Sequence, residues 1–144
     1  MEALRMKRTT LMSATWVVAL NAIVLLAHSV AHFGLHVLPM TLFDYLFIGI
    51  VIMILPLLAL FMMYNTRLSR WGMWLLLLSL LSSLLYGLIY HFLLPGMDNV
   101  TNVGAEPWHL LFVITSYVQF PLQAAGVIVG IWALLSREQA QTQA

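Results

Sequence analysis

The chain has 144 residues, of which 62% are hydrophobic and only 8% are charged. Soluble domains carry about 25% charged residues, so this composition predicts an integral membrane protein with one domain, residues 1–144. A formal net charge of +1 gives no support for nucleic-acid binding, and the lack of cysteine excludes disulfides, thiolate zinc sites and iron–sulfur clusters.

Four apolar stretches are long enough to cross a bilayer, which takes about 20 residues. They are predicted at 11–35, 42–64, 71–94 and 108–135, and the connections between them are short. Short connections place neighbouring helices antiparallel, so we expect an all-α integral membrane protein built as an up-down-up-down four-helix bundle. The polar tail, residues 136–144, is expected to be disordered.

The first predicted span ends in three histidines that are spaced four residues apart. His28 and His32 share one helical face with Asn21, and a His-x3-His pair on a helix can bind one metal ion. His36 lies further round the helix at its end, so it is a candidate for a third ligand or a neighbouring group.

The next two spans place a carboxylate, a tyrosine and a fourth histidine near the same predicted depth. Asp44 opens the second span, His91 closes the third, and Tyr90 precedes it. A stripe of hydroxyl side chains in the third span is expected to face the bundle interior, because lipid offers no hydrogen-bond partner: Ser79, Ser83, Tyr86 and Tyr90.

The fifth histidine, His109, opens the fourth span, and Ser116 and Gln123 recur on its face at intervals of seven residues. The connection before it is longer than an antiparallel pair requires. Asp98 and Glu106 lie in this connection, so it could fold as a lid that brings carboxylates over the histidines.

The cations and the histidines occupy different segments of the chain. The N-terminal segment, the second connection and the tail hold all six cations: Arg5, Lys7, Arg8, Arg67, Arg70 and Arg137. The positive-inside rule therefore predicts a protein of the cytoplasmic (inner) membrane with both termini in the cytoplasm. The histidines then lie on the outer side.

Histidine in or beside the hydrocarbon region is costly and needs a partner, so this cluster predicts a functional site. We expect a transition metal, with iron, copper or zinc all suited to imidazole and carboxylate ligands, in a protein of redox chemistry or metal handling. The candidate ligands are four histidines and one carboxylate: His28, His32, His91, His109 and Asp44. Further candidates are His36, Tyr90, Asp98 and Glu106.

A haem b is the alternative cofactor. In that hypothesis His28 or His32 pairs with His91 or His109 as the axial ligands of a cytochrome b-like electron-transfer subunit, with a quinol as a candidate donor. The predicted outer half contains no Lys or Arg to pair with haem propionates. This favours a bare metal ion.

Two further hypotheses need no cofactor. The histidines and carboxylates could relay protons or bind a quinol head group, or the chain could be a non-catalytic accessory subunit of a larger membrane complex. The partners that follow are the lipid bilayer in every case, a quinone or periplasmic redox partner for a redox protein, and a larger complex for an accessory subunit.

Overall fold

The computed structural model describes residues 2–37, 41–65, 67–104 and 107–142, and all regular structure within these ranges is helical. Four helices are long and apolar enough to cross a membrane, which confirms the all-α class and the number of candidate spans. They are numbered spans 1 to 4 in chain order: Arg8–Gly34, Leu42–Tyr64, Ser69–Leu93 and His109–Ser136.

The individual helices are α1 (Glu2–Gly34), α2 (Leu42–Leu46), α3 (Leu55–Tyr64), α4 (Ser69–Leu88) and α5 (His109–Thr142). Two π-helical segments complete spans 2 and 3, at Phe47–Ile54 and Ile89–Leu93 respectively. Helix α5 continues beyond span 4 to Thr142, so the expectation of a disordered tail from residue 136 was wrong for the described part of that tail.

The π-helical segments interrupt spans 2 and 3 where the chain approaches the histidines. A π turn bonds residue i to residue i+5, which inserts an extra residue into the helix and is frequent at functional sites. In span 2 the segment ends just before Pro56, the second residue of α3, which has no N–H to donate. In span 3 the segment carries His91.

Polar side chains lie inside the bundle and large apolar side chains lie on its surface. Trp16, Phe61 and Ile128 are 65%, 70% and 66% exposed, whereas Asn21 and Gln123 are 3% and 4% exposed. A soluble protein shows the opposite distribution. The surface therefore fits a lipid environment, where polar groups must find partners within the protein.

The bundle is packed more tightly in one half than in the other. Span 4 packs against spans 1 and 3, and span 3 packs against span 2. A buried apolar cluster, which we call the packed half, joins all four spans: Ala14, Val18, Ala59, Met63, Met73, Leu76, Leu80 and Ala133. Span 1 contacts span 2 through α3 in this half rather than through the π-helical segment Phe47–Ile54.

Candidate metal centre

Three buried imidazoles converge in the other half of the bundle, which we call the histidine half. Nε2 of His28 lies 3.0 Å from Nε2 of His32 and 3.2 Å from Nε2 of His91. One ring nitrogen from each of the three histidines lies within 4.8 Å of the others. Two helices that are far apart in sequence thus aim ring nitrogens at one point.

Local structure explains this convergence. His28 and His32 are one turn apart on α1 and share a face, as the spacing predicts. His91 reaches them from the π-helical segment of span 3. The fully buried ring of Phe112, on α5, supports all three imidazoles, with ring centroids 4.9 Å from His28, 5.0 Å from His32 and 5.5 Å from His91.

The tautomer of His28 follows from its contact with Thr115. The Thr115 hydroxyl lies 2.6 Å from the carbonyl of Leu111, and because a carbonyl only accepts, the hydroxyl must donate to it. Thr115 Oγ1 is therefore the acceptor for His28 Nδ1, 2.9 Å away. With its proton on Nδ1, a neutral His28 presents the lone pair of Nε2 to the other two histidines.

His91 is oriented in the same way by the backbone. Its Nδ1 lies 3.0 Å from the carbonyl oxygen of Asp98, so Nδ1 donates, and in the neutral ring Nε2 keeps its lone pair. The Nε2 lone pairs of His28 and His91 consequently face each other across 3.2 Å with no hydrogen between them. Two such acceptors repel each other unless a cation lies between or beside them or a donor, such as an N–H at Nε2 of His32, satisfies one of them.

A carboxylate completes the group. Oδ1 of Asp98 lies 3.2 Å from His32 Nε2, and Oδ2 lies 3.5 Å from His91 Nδ1. Oδ1 is buried and has no hydrogen-bond partner among the described residues, because the approach to His32 has the distance of an ion pair without the angles of a hydrogen bond. The carboxylate therefore lies against two of the three imidazoles, where it could balance the charge of a cation.

The spacing of the nitrogens fits a metal ion. Zinc–imidazole bonds of about 2.0–2.1 Å in a tetrahedral site set the ligand nitrogens ~3.3 Å apart. The separations of 3.0 and 3.2 Å from His28 Nε2 therefore need to open by only a few tenths of an ångström. The ligand nitrogens of His32 and His91, which lie within 4.8 Å of each other, would need to close by up to ~1.5 Å to reach this tetrahedral spacing. The hydrogen bonds from Nδ1 to Thr115 and to the Asp98 carbonyl are of the kind that orient metal-bound histidines.

Asp44, expected to be a ligand or orienting group, has other partners in the structure. Its Oδ2 accepts from the backbone N and the Oγ1 of Thr41, at 2.9 and 2.6 Å, in a capping box at the start of α2. Its Oδ1 accepts from Tyr86 and Tyr90 at 3.0 and 3.4 Å. Both oxygens are satisfied, so Asp98 is the carboxylate at the three histidines.

The other candidates also lie apart from this group. His109 is half-buried and donates from Nδ1 to the carbonyls of Val103 and Gly104, at 3.2 and 3.0 Å, which ties the start of α5 to the preceding loop. His36 is exposed in the turn after α1, with a left-handed φ of 50°. Tyr90 contacts Asp44 instead, and Glu106 lies outside the described residues.

Sequence reasoning missed two residues of the site, Thr115 and Phe112. Thr115 is a polar residue in an apolar span, one position from Ser116 in the polar stripe of span 4, and this was the available signal. Phe112 gives no signal, because phenylalanine is common throughout such spans.

No protein-family model matches this chain, and no curated protein or solved structure matches it either.

Proposed function

We propose that the chain is an integral membrane protein that binds one transition-metal ion through His28, His32 and His91, with Asp98 as a fourth ligand or a charge partner. The observation that carries this proposal is the 3.2 Å separation of the Nε2 atoms of His28 and His91, which present two lone pairs to each other when both rings are neutral. The Nδ1 atoms of both rings donate elsewhere, to Thr115 Oγ1 from His28 and to the Asp98 carbonyl from His91. A metal ion converts this repulsion into coordination.

The distribution of charged residues supports a location for the site on the outer side of the inner membrane. The cations lie in the N-terminal segment, in the connection between spans 2 and 3 and in the tail, whereas the histidines lie at the other ends of the spans. This distribution supports an up-down-up-down arrangement with both termini in the cytoplasm. The metal site then lies towards the outer face of the inner membrane. Redox chemistry and metal handling both fit a site at that depth.

The geometry favours a metal ion over haem b. Axial histidines bind haem iron from opposite sides of the porphyrin, whereas these three imidazoles converge from one region at Nε2 separations of 3.0 and 3.2 Å. The ring of Phe112 closes the space beneath all three. Iron, copper and zinc all accept three imidazoles and a carboxylate.

The first test is elemental analysis of the protein purified without added metal, paired with absorption spectra of its oxidised and reduced forms. We expect about one iron, copper or zinc ion per chain and no Soret band. His91→Ala and His28→Ala should each remove the metal, and Asp98→Asn should lower its affinity about 10- to 100-fold, as loss of a charged group beside a metal typically does.

His109→Ala is the matched control, because His109 bonds the loop and not the three histidines. It should keep the full metal content. A folded wild-type protein without stoichiometric metal would contradict the proposal and leave a shared proton as the cation between the imidazoles. A Soret band that disappears in His91→Ala would favour the haem hypothesis instead.

A further inference from the structure

A cavity of about 250 Å³ lies between spans 1 and 2 and reaches the metal-site residues. We call it the histidine cavity, and its walls include His28, His32 and His91 at one side and Gly49, Ile52 and Met53 at another. It forms because span 1 packs against α3 but stands away from the π-helical segment of span 2. A Cβ added at Gly49 would have no atom within 4 Å.

The histidine cavity opens on the surface between the two spans. Phe33 and Tyr45 both line it, and they are 69% and 49% exposed. These two residues belong to spans whose surfaces are apolar, so the opening faces lipid in the proposed membrane orientation. A ligand would enter sideways from the bilayer.

A second cavity, of about 170 Å³, continues from the first along the same gap. The two share Leu25, Ile52 and Met53 as wall residues. Apart from Asn21, the walls of this second cavity are apolar, and they end near Pro56. Together the cavities form a slot that is polar at the histidines and apolar along its length.

Three buried polar atoms in the walls of the histidine cavity have no hydrogen-bond partner among the described residues, and one of them is Oδ1 of Asp98, 3.2 Å from His32 Nε2. Gln119, which is 5% exposed, has an unpartnered Nε2, and His32, which is 9% exposed, has an unpartnered Nδ1. A buried donor without a partner destabilises the protein. Once Nε2 of His32 binds a metal, its Nδ1 carries the proton, so both atoms become donors for a ligand.

We propose that this slot binds a lipid-soluble quinone or quinol, with its head group between Gln119 and His32 and its apolar tail in the second cavity. The inference rests on the proposed metal site, because the head group would lie beside that site. Two carbonyl or hydroxyl oxygens on a flat ring match two separated donors. The cavity walls contain no Lys or Arg, which disfavours an anionic phospholipid head group.

The test is equilibrium binding of decyl-ubiquinone to the metal-loaded protein in detergent, with decylbenzene as the probe that lacks the two oxygens. We expect saturable binding of the quinone and at least tenfold weaker binding of decylbenzene. Gln119→Leu should raise the Kd of the quinone about tenfold, as expected for the loss of one hydrogen bond. Gly49→Phe should abolish binding by filling the cavity.

Ile50→Phe is the matched control, because Ile50 is 46% exposed on the same helix and does not line either cavity. It should bind the quinone like the wild type. Equal binding of both probes would overturn the inference and identify the slot as a site for an acyl chain. Full metal content without saturable quinone binding would overturn this inference alone, whereas a metal-free wild type would overturn the proposed metal site.

Discussion

The two halves of the bundle differ in how closely their helices pack. In the packed half, small residues let the backbones approach: a Cβ at Gly72 would lie 2.7 Å from the carbonyl oxygen of Ala59. In the histidine half, spans 1 and 2 separate and leave a cavity of about 250 Å³. Helices in lipid associate through close packing of small residues, so the packed half holds the bundle together. The open half is then available for a site.

The largest expected effect is a loss of stability caused by a substitution in the packed half. Gly72→Leu should destabilise the protein by about 3 kcal/mol, because the new side chain meets the backbone of α3 at Ala59 and Met63. Gly49→Leu, in the histidine half, should change stability by no more than about 0.5 kcal/mol, since its Cβ meets nothing. Thermal unfolding of both variants in the same detergent measures the difference. Equal losses would show that the two halves are equally packed.

A second prediction sharpens the comparison within span 4. Thr115→Val removes the acceptor that holds the Nδ1 proton of His28, so metal affinity should fall about 10- to 100-fold with little change in fold. Ser116→Ala is the control, because within the described ranges Ser116 bonds only the carbonyl of Phe112 on its own helix. Competition with a chelator of known affinity measures both. A Thr115→Val protein with wild-type affinity would contradict the assigned tautomer.

The smallest expected effect distinguishes the roles of Asp44 and Asp98, the two carboxylates of the histidine half. Asp44→Asn should keep full metal content and lose about 1 kcal/mol of stability, because Asp44 caps α2 through Thr41. Asp98→Asn should show the reverse, with weaker metal binding and little loss of stability. Elemental analysis and thermal unfolding of the two proteins together decide the roles. Loss of metal from Asp44→Asn would return Asp44 to the site.

Hydropathy and helical spacing predicted the four candidate spans and the shared face of His28 and His32, because both depend on local sequence. The capping role of Asp44 was also readable, since a threonine three residues before an acidic residue at the start of an apolar run is typical of a capping box. The sequence analysis placed Asp44 in the metal site because Asp44 and the histidines have similar predicted depths in the membrane. It did not consider the local hydrogen bonds between Asp44 and Thr41.

The sequence alone could not predict how His91 and Asp98 reach the other two histidines. His91 reaches the other two histidines from a π-helical segment, and the sequence 89–93 carries no pattern that distinguishes a π turn from an α turn. Asp98 reaches the site because its loop folds back onto span 3, with Val100 N donating to the carbonyl of His91 at 3.0 Å. Such a return depends on tertiary packing.

The attachment of this loop joins the buried histidines to the surface of the protein. The carbonyl of Asp98 holds His91, and Val100 and Val103 pack against Ala31 and Phe112 beneath the imidazoles. The same loop carries Thr101 and Asn102, which are exposed. The loop therefore connects the buried imidazoles to the protein surface through the hydrogen bonds of His91 to Asp98 and Val100.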